Sequence, residues 1–344
     1  MKIAILGCGA MGTVLGAYLV KGGLEVELID SFKDHVKALN ESGAHIIGTV
    51  DMFIPVKAIT SEQMEGIYDL IFLLTKQTAN DTVLPALLPH LSENSTVCTL
   101  QNGVPEPLVA EYIGEKRTVG GTVLWGATFV GPGMSELTQD VSKSDHLFEI
   151  GEIDGSIGSR IEEVASVLRK MGPTKVTDSL MASRWGKLIN NACMSGMSAA
   201  CGCTFAEVLD HPKSLACLCY LGREVRQCCE AMGLALPILL TEQSPESLAL
   251  KDRAMFEACK EMFRVMYDGL RPAKASMLQD LEKSKLTEVD LINGFVCSVG
   301  KEKGISTPFN DKVVEIVHKI ENRKLSLSMD NLQYFTEDMF DYGI

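Results

Sequence analysis

The chain contains no run of about 18 apolar residues, which excludes an α-helical membrane span. It contains no Cys-x-x-Cys pair, and its eleven cysteines are odd in number. In a long chain without a recognisable leader, that usage favours reduced thiols over a disulfide framework. Seven cysteines fall between Cys193 and Cys229, but Cys201/Cys203 and Cys217/Cys219 are two residues apart. On a helix that spacing turns side chains about 200° apart, so these read as small packing residues and no metal site is expected. None of the six histidines (His35, His45, His90, His146, His211, His318) lies in a recognisable motif, so no His–Asp proton relay is expected. Positive charge is scarce: 32 Lys and Arg stand against 45 Asp and Glu, a net charge of −13. An acidic surface repels nucleic acid and anionic membranes, so neither is expected as a partner. A small anionic substrate stays open, because a local basic pocket overrides the global sign. There is no internal repeat and no low-complexity tract.

What remains is an ordinary globular composition, 46% apolar and 22% charged, in 344 residues. That length suggests about two domains with substantial cores. The start, Met1-Lys-Ile-Ala-Ile-Leu6, has a leader's apolarity, but glycines follow it at once and charges arrive early at Lys21, Glu25 and Glu27. It reads as the first strand of a cytoplasmic protein.

The most informative segment comes next. Gly7-Cys8-Gly9-Ala10-Met11-Gly12 follows an apolar strand and opens a helix. Gly7 permits a tight turn, Gly9 a close approach of backbone to phosphates, and Gly12 close packing of helix on strand. The helix start aims free N–H groups and its positive dipole end at an anion. A GxGxxG is weak alone and gains force between a strand and a helix, where a dinucleotide pyrophosphate binds.

Strand and helix signals then alternate. Strands are expected at 2–6, 25–29, 69–74 and 96–100, with β-like pieces over 44–58. Helices are expected at 10–22, 32–40, 78–90 and 157–171. Strand signals recur over 118–130, 135–139, 147–151 and 175–177. The alternation implies a mostly parallel, doubly wound sheet. Beyond Thr177 helical periodicity takes over, punctuated by Gly233, Pro237, Pro245, Pro272 and Pro308. The expected domains are 1–178, α/β and dinucleotide-binding, and 179–344, all-helical, with the stretch from Ser326 a peripheral helix or tail.

Asp30 closes the second strand, eighteen residues after Gly12. A carboxylate there accepts ribose hydroxyls and repels a 2′-phosphate, which leans the choice from NADP towards NAD. Its structural alternative is a cap for the helix that follows, and Lys33 complicates the choice.

Reducing a ketone needs an acid for the developing alkoxide. With no suitable histidine, the candidate is Lys187 in Ser183-Arg-Trp-Gly-Lys-Leu-Ile-Asn-Asn191. On a helix over 179–199, Lys187, Asn191 and Ser195 form one polar stripe at i, i+4 and i+8. Spacing alone leaves a solvated face and a ligand site equally open. Glu288 is placed in the first turn of a helix capped by Thr287, where it either complements the helix dipole or partners Lys187.

Together these segments resemble the ketopantoate reductases (2-dehydropantoate 2-reductases). The resemblance rests on GCGAMG, Thr75-Lys76, Gln101-Asn102-Gly103, Trp185-Gly-Lys187 with Asn191, Ser276-Met-Leu-Gln-Asp280, and Thr287-Glu-Val-Asp-Leu-Ile-Asn-Gly-Phe295, in that order. It implies a Rossmann-type domain joined to a helical domain like the C-terminal domain of 6-phosphogluconate dehydrogenase, with the active site in a cleft between them. It implies hydride transfer from NADPH or NADH to the C2 ketone of ketopantoate, giving pantoate for pantothenate and coenzyme A synthesis. Lys187 is then the general acid, and Glu288 its partner near the nicotinamide ribose. Asn191 and Ser195 bind the substrate's hydroxyl end and Ser276 its carboxylate. Lys76 and Asn102 line the cofactor and substrate cleft, and Gly7 through Gly12 with Asp30 hold the dinucleotide. A homodimer is one expected assembly. Three features depart from the family pattern. Ser195 stands where the family carries a second asparagine, Asp30-Ser-Phe-Lys33 replaces an NADP-favouring arginine region, and the carboxyl end is extended. The first two keep open a sister 2-oxoacid, hydroxyacid or opine-type dehydrogenase; a catalytically inactive nucleotide sensor is disfavoured by Lys187 and Glu288.

Overall fold

A computed structural model describes residues 1–341. Its contacts divide the chain into two compact units, Met1–Leu180 and a second from Met181 onward.

The first unit runs β1 (Ile3–Leu6), α1 (Ala10–Lys21), β2 (Val26–Ile29), α2 (Lys33–Ser42), β3 (Ala44–Gly48), β4 (Met52–Ile54), β5 (Lys57–Ile59), β6 (Leu70–Leu73), α3 (Asn80–Leu87), β7 (Thr96–Thr99), α4 (Glu106–Ile113), β8 (Thr118–Val123), β9 (Ala127–Gly131), β10 (Met134–Leu137), β11 (Phe148–Glu152), α5 (Ser159–Leu168) and β12 (Thr174–Val176). Eight strands form one sheet in the order β12-β11-β8-β7-β6-β1-β2-β5. Every neighbouring pair is parallel except β8 and β11. β1, β2, β6 and β7 are buried along their whole length; β1 and β6 accordingly read as unbroken apolar runs, whereas β2 carries Glu27 and β7 is bounded by Thr96 and Thr99.

The register matters for function. Leu6 pairs with Ile29 on one side and Leu73 on the other, and Leu73 pairs with Thr99. Four strands therefore end level, and the chain turns from one side of β1 to the other between β5 and β6. A sheet of this kind presents its ligand crevice at the carboxyl ends beside that reversal.

Two differences from the sequence reading have physical causes. The β-like pieces around Gly48 and near 135 close into a sheet of their own, β4-β3-β10-β9, which packs on α1. Pairing Met134 with His45 requires contact across some ninety residues, which no local pattern encodes. The helix expected over 78–90 is α3 flanked by 3₁₀ turns at Gln77–Ala79 and Leu88–His90, and Pro85 and Pro89 restrict its hydrogen bonding.

The second unit holds α6 (Leu180–Ile189), α7 (Gly196–Cys201), α8 (Phe205–Asp210), α9 (Pro212–Ala231), α10 (Arg253–Tyr267), α11 (Ser276–Glu282), α12 (Val289–Lys303) and α13 (Pro308–Glu321). Its centre is α9, with Cys217, Cys219, Cys228 and Cys229 buried as free thiols. The segment after α13, expected as a peripheral helix or tail, forms short 3₁₀ turns at Met329–Tyr334 and Glu337–Met339 and is docked on the unit. Asn331 Nδ2 donates to the Ala200 carbonyl at 2.9 Å. Phe335 and Phe340 are buried against Phe309, which itself stacks on Tyr220 at 4.8 Å. Aromatic area of this size is expensive to leave in water, and that drives the docking. Among the described residues no helix is long and apolar enough to cross a membrane.

Candidate active site

In the first unit the candidate cofactor residues emerge together. Asp30, Gly7, Lys76 and Asn102 follow the level ends of β2, β1, β6 and β7. Gly7 has φ +97°, and a Cβ there would lie 2.4 Å from the Thr75 amide nitrogen. A Cβ on Gly12 would lie 2.2 Å from the Gly7 carbonyl oxygen. Gly9 is the reverse case: its Cβ would meet nothing within 4 Å. Two glycines thus close the turn and the third borders open space. α1 begins there with no side-chain cap and no acidic residue in its first turn. Open space, uncapped N–H groups and a positive helix end fit a pyrophosphate.

Asp30 Oδ1 accepts the Phe32 N–H at 2.9 Å, so one oxygen serves the turn into α2. Lys76 is exposed, and Asn102 is half-buried with its carbonyl accepting from Gln77 Nε2. Gln101 bridges the strand ends: its Nε2 donates to the Thr75 carbonyl and to Asn80 Oδ1, both at 2.8 Å.

In the second unit, α6 and α7 are one rod joined by a π-helical turn, Asn190–Ser195. The expectation of an uninterrupted α-helix is corrected here. A π turn bonds i to i+5, so the strict i+4 spacing does not run through to Ser195. The polar stripe survives in another form. From Ser183 to Ala200 every residue is buried except Lys187, Asn190, Asn191 and Ser195, which are half-buried.

The π turn has identifiable supports. Asn293 of α12, fully buried, donates from Nδ2 to the Ala192 carbonyl and to Asn310 Oδ1, each at 2.9 Å. Asn310 Nδ2 in turn donates to Glu224 Oε2 at 2.7 Å, and Glu224 also accepts the N–H groups of Phe309 and Asn310. Burial raises Glu224 to about 7 against these bonds. Gly196 leaves room for the arrangement, since a Cβ there would press on both Asn293 amide atoms at 3.1 Å. Tyr267 donates to Asn190 Oδ1 at 2.6 Å. The loop after α9 lays Pro237 over Gly186, where a Cβ would come within 2.7 Å of the ring.

Two features carry chemistry. Burial strips water from the Lys187 ammonium, and the Arg184 guanidinium adds like charge; together they pull Lys187 down to about 7. The Asn191 Nδ2 atom is buried with no hydrogen-bond partner, an exceptional state for an amide unless a ligand supplies one. Glu288 is buried in the N-cap position of α12, one residue before its first turn. The expected cap is corrected: Glu288, not Thr287, takes the N-cap position, and Thr287 stands one residue earlier with its hydroxyl accepting the Val289 N–H at 3.2 Å. Ser276 is exposed at the start of α11, which packs on α7 and the π turn.

The sequence reading missed Asn293, Asn310, Glu224 and Tyr267. The available signal was a polar residue isolated among apolar ones, such as Asn293 within Leu291-Ile-Asn-Gly-Phe295. Its partners, seventeen to a hundred residues away, carry no local mark.

Residues 3–153 match the family described as Ketopantoate reductase PanE/ApbA, and residues 179–321 match Ketopantoate reductase PanE/ApbA C terminal. A 2-dehydropantoate 2-reductase from Lactococcus lactis is 30% identical over 329 residues, spanning 93% of this chain and 98% of that protein. Among solved structures, D-mandelate dehydrogenase with NADH and anilino(oxo)acetate superposes with TM-score 0.80 at 25% identity, covering 94% and 99% of the two chains. A putative 2-dehydropantoate 2-reductase from Enterococcus faecalis superposes with TM-score 0.68 at 28% identity and the same coverage.

Proposed function

This chain belongs to the ketopantoate reductase family, and from that premise we propose that it reduces 2-dehydropantoate to pantoate with a reduced nicotinamide dinucleotide. The observation that carries the reading is Lys187: an amine held near 7 on the accessible edge of a buried rod, beside an unpartnered amide.

The reduced nicotinamide, when bound, supplies hydride to the C2 carbonyl carbon. Lys187 donates a proton to the carbonyl oxygen as it gains negative charge, which is the work of a positioned general acid. A value near 7 suits that task, because the ammonium is populated at neutral pH and gives its proton up readily. Asn191 Nδ2 donates to an oxygen of the substrate, and Ser195 lies one turn further along the same edge. Glu288 partners Lys187 near the nicotinamide ribose, and Ser276 takes the substrate carboxylate. The glycine loop holds the pyrophosphate on the start of α1, with Lys76 and Asn102 at its border. Asp30 accepts the adenosine ribose hydroxyls through the oxygen not used by Phe32, which favours NADH over NADPH. The first unit is the nucleotide-binding domain and the second, which starts two residues later than the expected 178/179 division, is the substrate domain and also offers surface for a homodimer.

Adding ketopantoate to the purified protein with NADH or NADPH should consume the reduced cofactor. No turnover with either cofactor overturns the pantoate reading. A strong NADPH preference overturns the role given to Asp30. Light scattering decides between monomer and dimer.

A second reading is a related 2-hydroxyacid dehydrogenase. Ser195 favours it, being shorter than the family's asparagine, as does the likeness to D-mandelate dehydrogenase. A panel of 2-oxoacids, including phenylglyoxylate and run with and without an amine, separates the two by the ratio of kcat/KM values.

A further inference from the structure

The geometry points to His35 as a positioning residue that aims the Gly9 amide at the bound pyrophosphate. This rests on the reading of the glycine loop as the dinucleotide site.

His35 lies on α2 and is 1% exposed. Its Nε2 is 2.7 Å from the Cys8 carbonyl oxygen, and its Nδ1 is 2.9 Å from the Gly133 amide nitrogen. The Gly133 N–H can only donate, so Nδ1 must accept and the proton sits on Nε2. Nε2–H therefore donates to the Cys8 carbonyl, with the Thr13 hydroxyl oxygen a second, longer partner at 3.1 Å. The Thr13 hydroxyl donates to the same oxygen at 2.7 Å. Burial lowers the imidazole from its ordinary value, which supports the neutral form this arrangement needs.

The consequence follows from peptide planarity. In a trans peptide the C=O of one residue and the N–H of the next point in opposite directions. Two donors draw the Cys8 oxygen towards the interior. The Gly9 N–H of that peptide then points the opposite way, out of the interior, and Gly9 itself borders open space, since a Cβ on it would meet nothing within 4 Å. Without His35 the Cys8–Gly9 peptide plane keeps one tether instead of two. Gly133 belongs to the hairpin between β9 and β10, so the small second sheet braces the glycine loop through one imidazole ring. Phe32 and Phe129 flank the ring, with centroids 6.5 and 5.1 Å away.

Two substitutions separate the contacts. His35→Gln places an amide near Nε2 and keeps the donor to Cys8; His35→Asn places an amide oxygen near Nδ1 and keeps only the Gly133 contact. NADH and NADPH binding is titrated by fluorescence on the full-length protein, with melting temperature measured alongside. His35→Asn should weaken binding roughly five- to tenfold, the loss set by one hydrogen bond, while His35→Gln stays within about threefold of the parent. Thr13→Val, which removes the second tether together with the hydroxyl's contact to the imidazole, should act like His35→Asn, and Thr13→Ser like the parent. Equal affinities for the Asn and Gln variants overturn the inference, as do losses that merely track melting temperature. If the histidine variants fail to fold, the Thr13 pair decides alone by the same contrast. A parent protein that binds neither nucleotide overturns the loop assignment itself, a distinct failure.

Discussion

The two units carry their candidate functional groups in different materials. At the carboxyl edge of the first unit's sheet the chemistry is in the backbone: glycines, an uncapped helix start and level strand ends. In the second unit it is in side chains made unusual by burial, Lys187 lowered and Asn191 unpartnered. A backbone site is fixed by which residues lack a Cβ, so it is written in consecutive letters. A burial site is fixed by what packs around it, and that comes from distant parts of the chain.

Substitutions can break this contrast or sharpen it. Lys187→Ala should lower kcat at least ~100-fold, the contribution of a positioned acid, and leave cofactor affinity unchanged. Steady-state kinetics with a fluorescence titration checks both halves; an unchanged rate would remove the acid from the second unit altogether. Gly9→Ala should do the opposite. Its methyl enters open space, so melting temperature should hold, while nucleotide affinity falls by about ten- to a hundredfold as phosphate bonds to backbone are lost.

The pH profile follows with its sign fixed by Lys187. An ordinary lysine keeps its proton to about 10.5, whereas this one gives it up near 7. Reduction should therefore slow as pH rises through about 7, by roughly tenfold per unit at the limit. A rate of reduction that stays flat to pH 9 would show that the ammonium is not the acid.

Two smaller effects divide the second unit itself. Asn191→Ala breaks no bond within the protein through Nδ2, so it should raise KM for the keto acid about tenfold at little cost in stability. Asn293→Ala removes the donor to the Ala192 carbonyl and should cost about 1–3 kcal/mol, read as a lowered melting temperature with a modest loss of kcat. If both variants affect stability alike, Asn191 is structural and the distinction collapses.

The same contrast explains what was legible beforehand. GCGAMG between a strand and a helix announced the loop, and the apolar runs of β1 and β6, alternating with helix signals, announced the parallel sheet. Lys187, Asn191 and Ser195 were visible as a stripe, but not as the accessible edge of a rod, because that depends on every neighbour being covered. The π turn was invisible: its support comes from Asn293 and Gly196, nearly a hundred residues apart. His35 lies in no motif, because its partners Cys8 and Gly133 are 27 and 98 residues away. The second sheet escaped for the same reason.

The segment beyond Glu321 lies past the end of the family match, yet Asn331 satisfies a carbonyl on the rod that bears Lys187. An appendage that shares a hydrogen bond and a ring stack with the common core is no longer optional. Cutting the chain back to the family's boundary would strand the Ala200 oxygen and bare the faces of Phe309 and Tyr220. The shared domain therefore stops short of contacts that its own core uses.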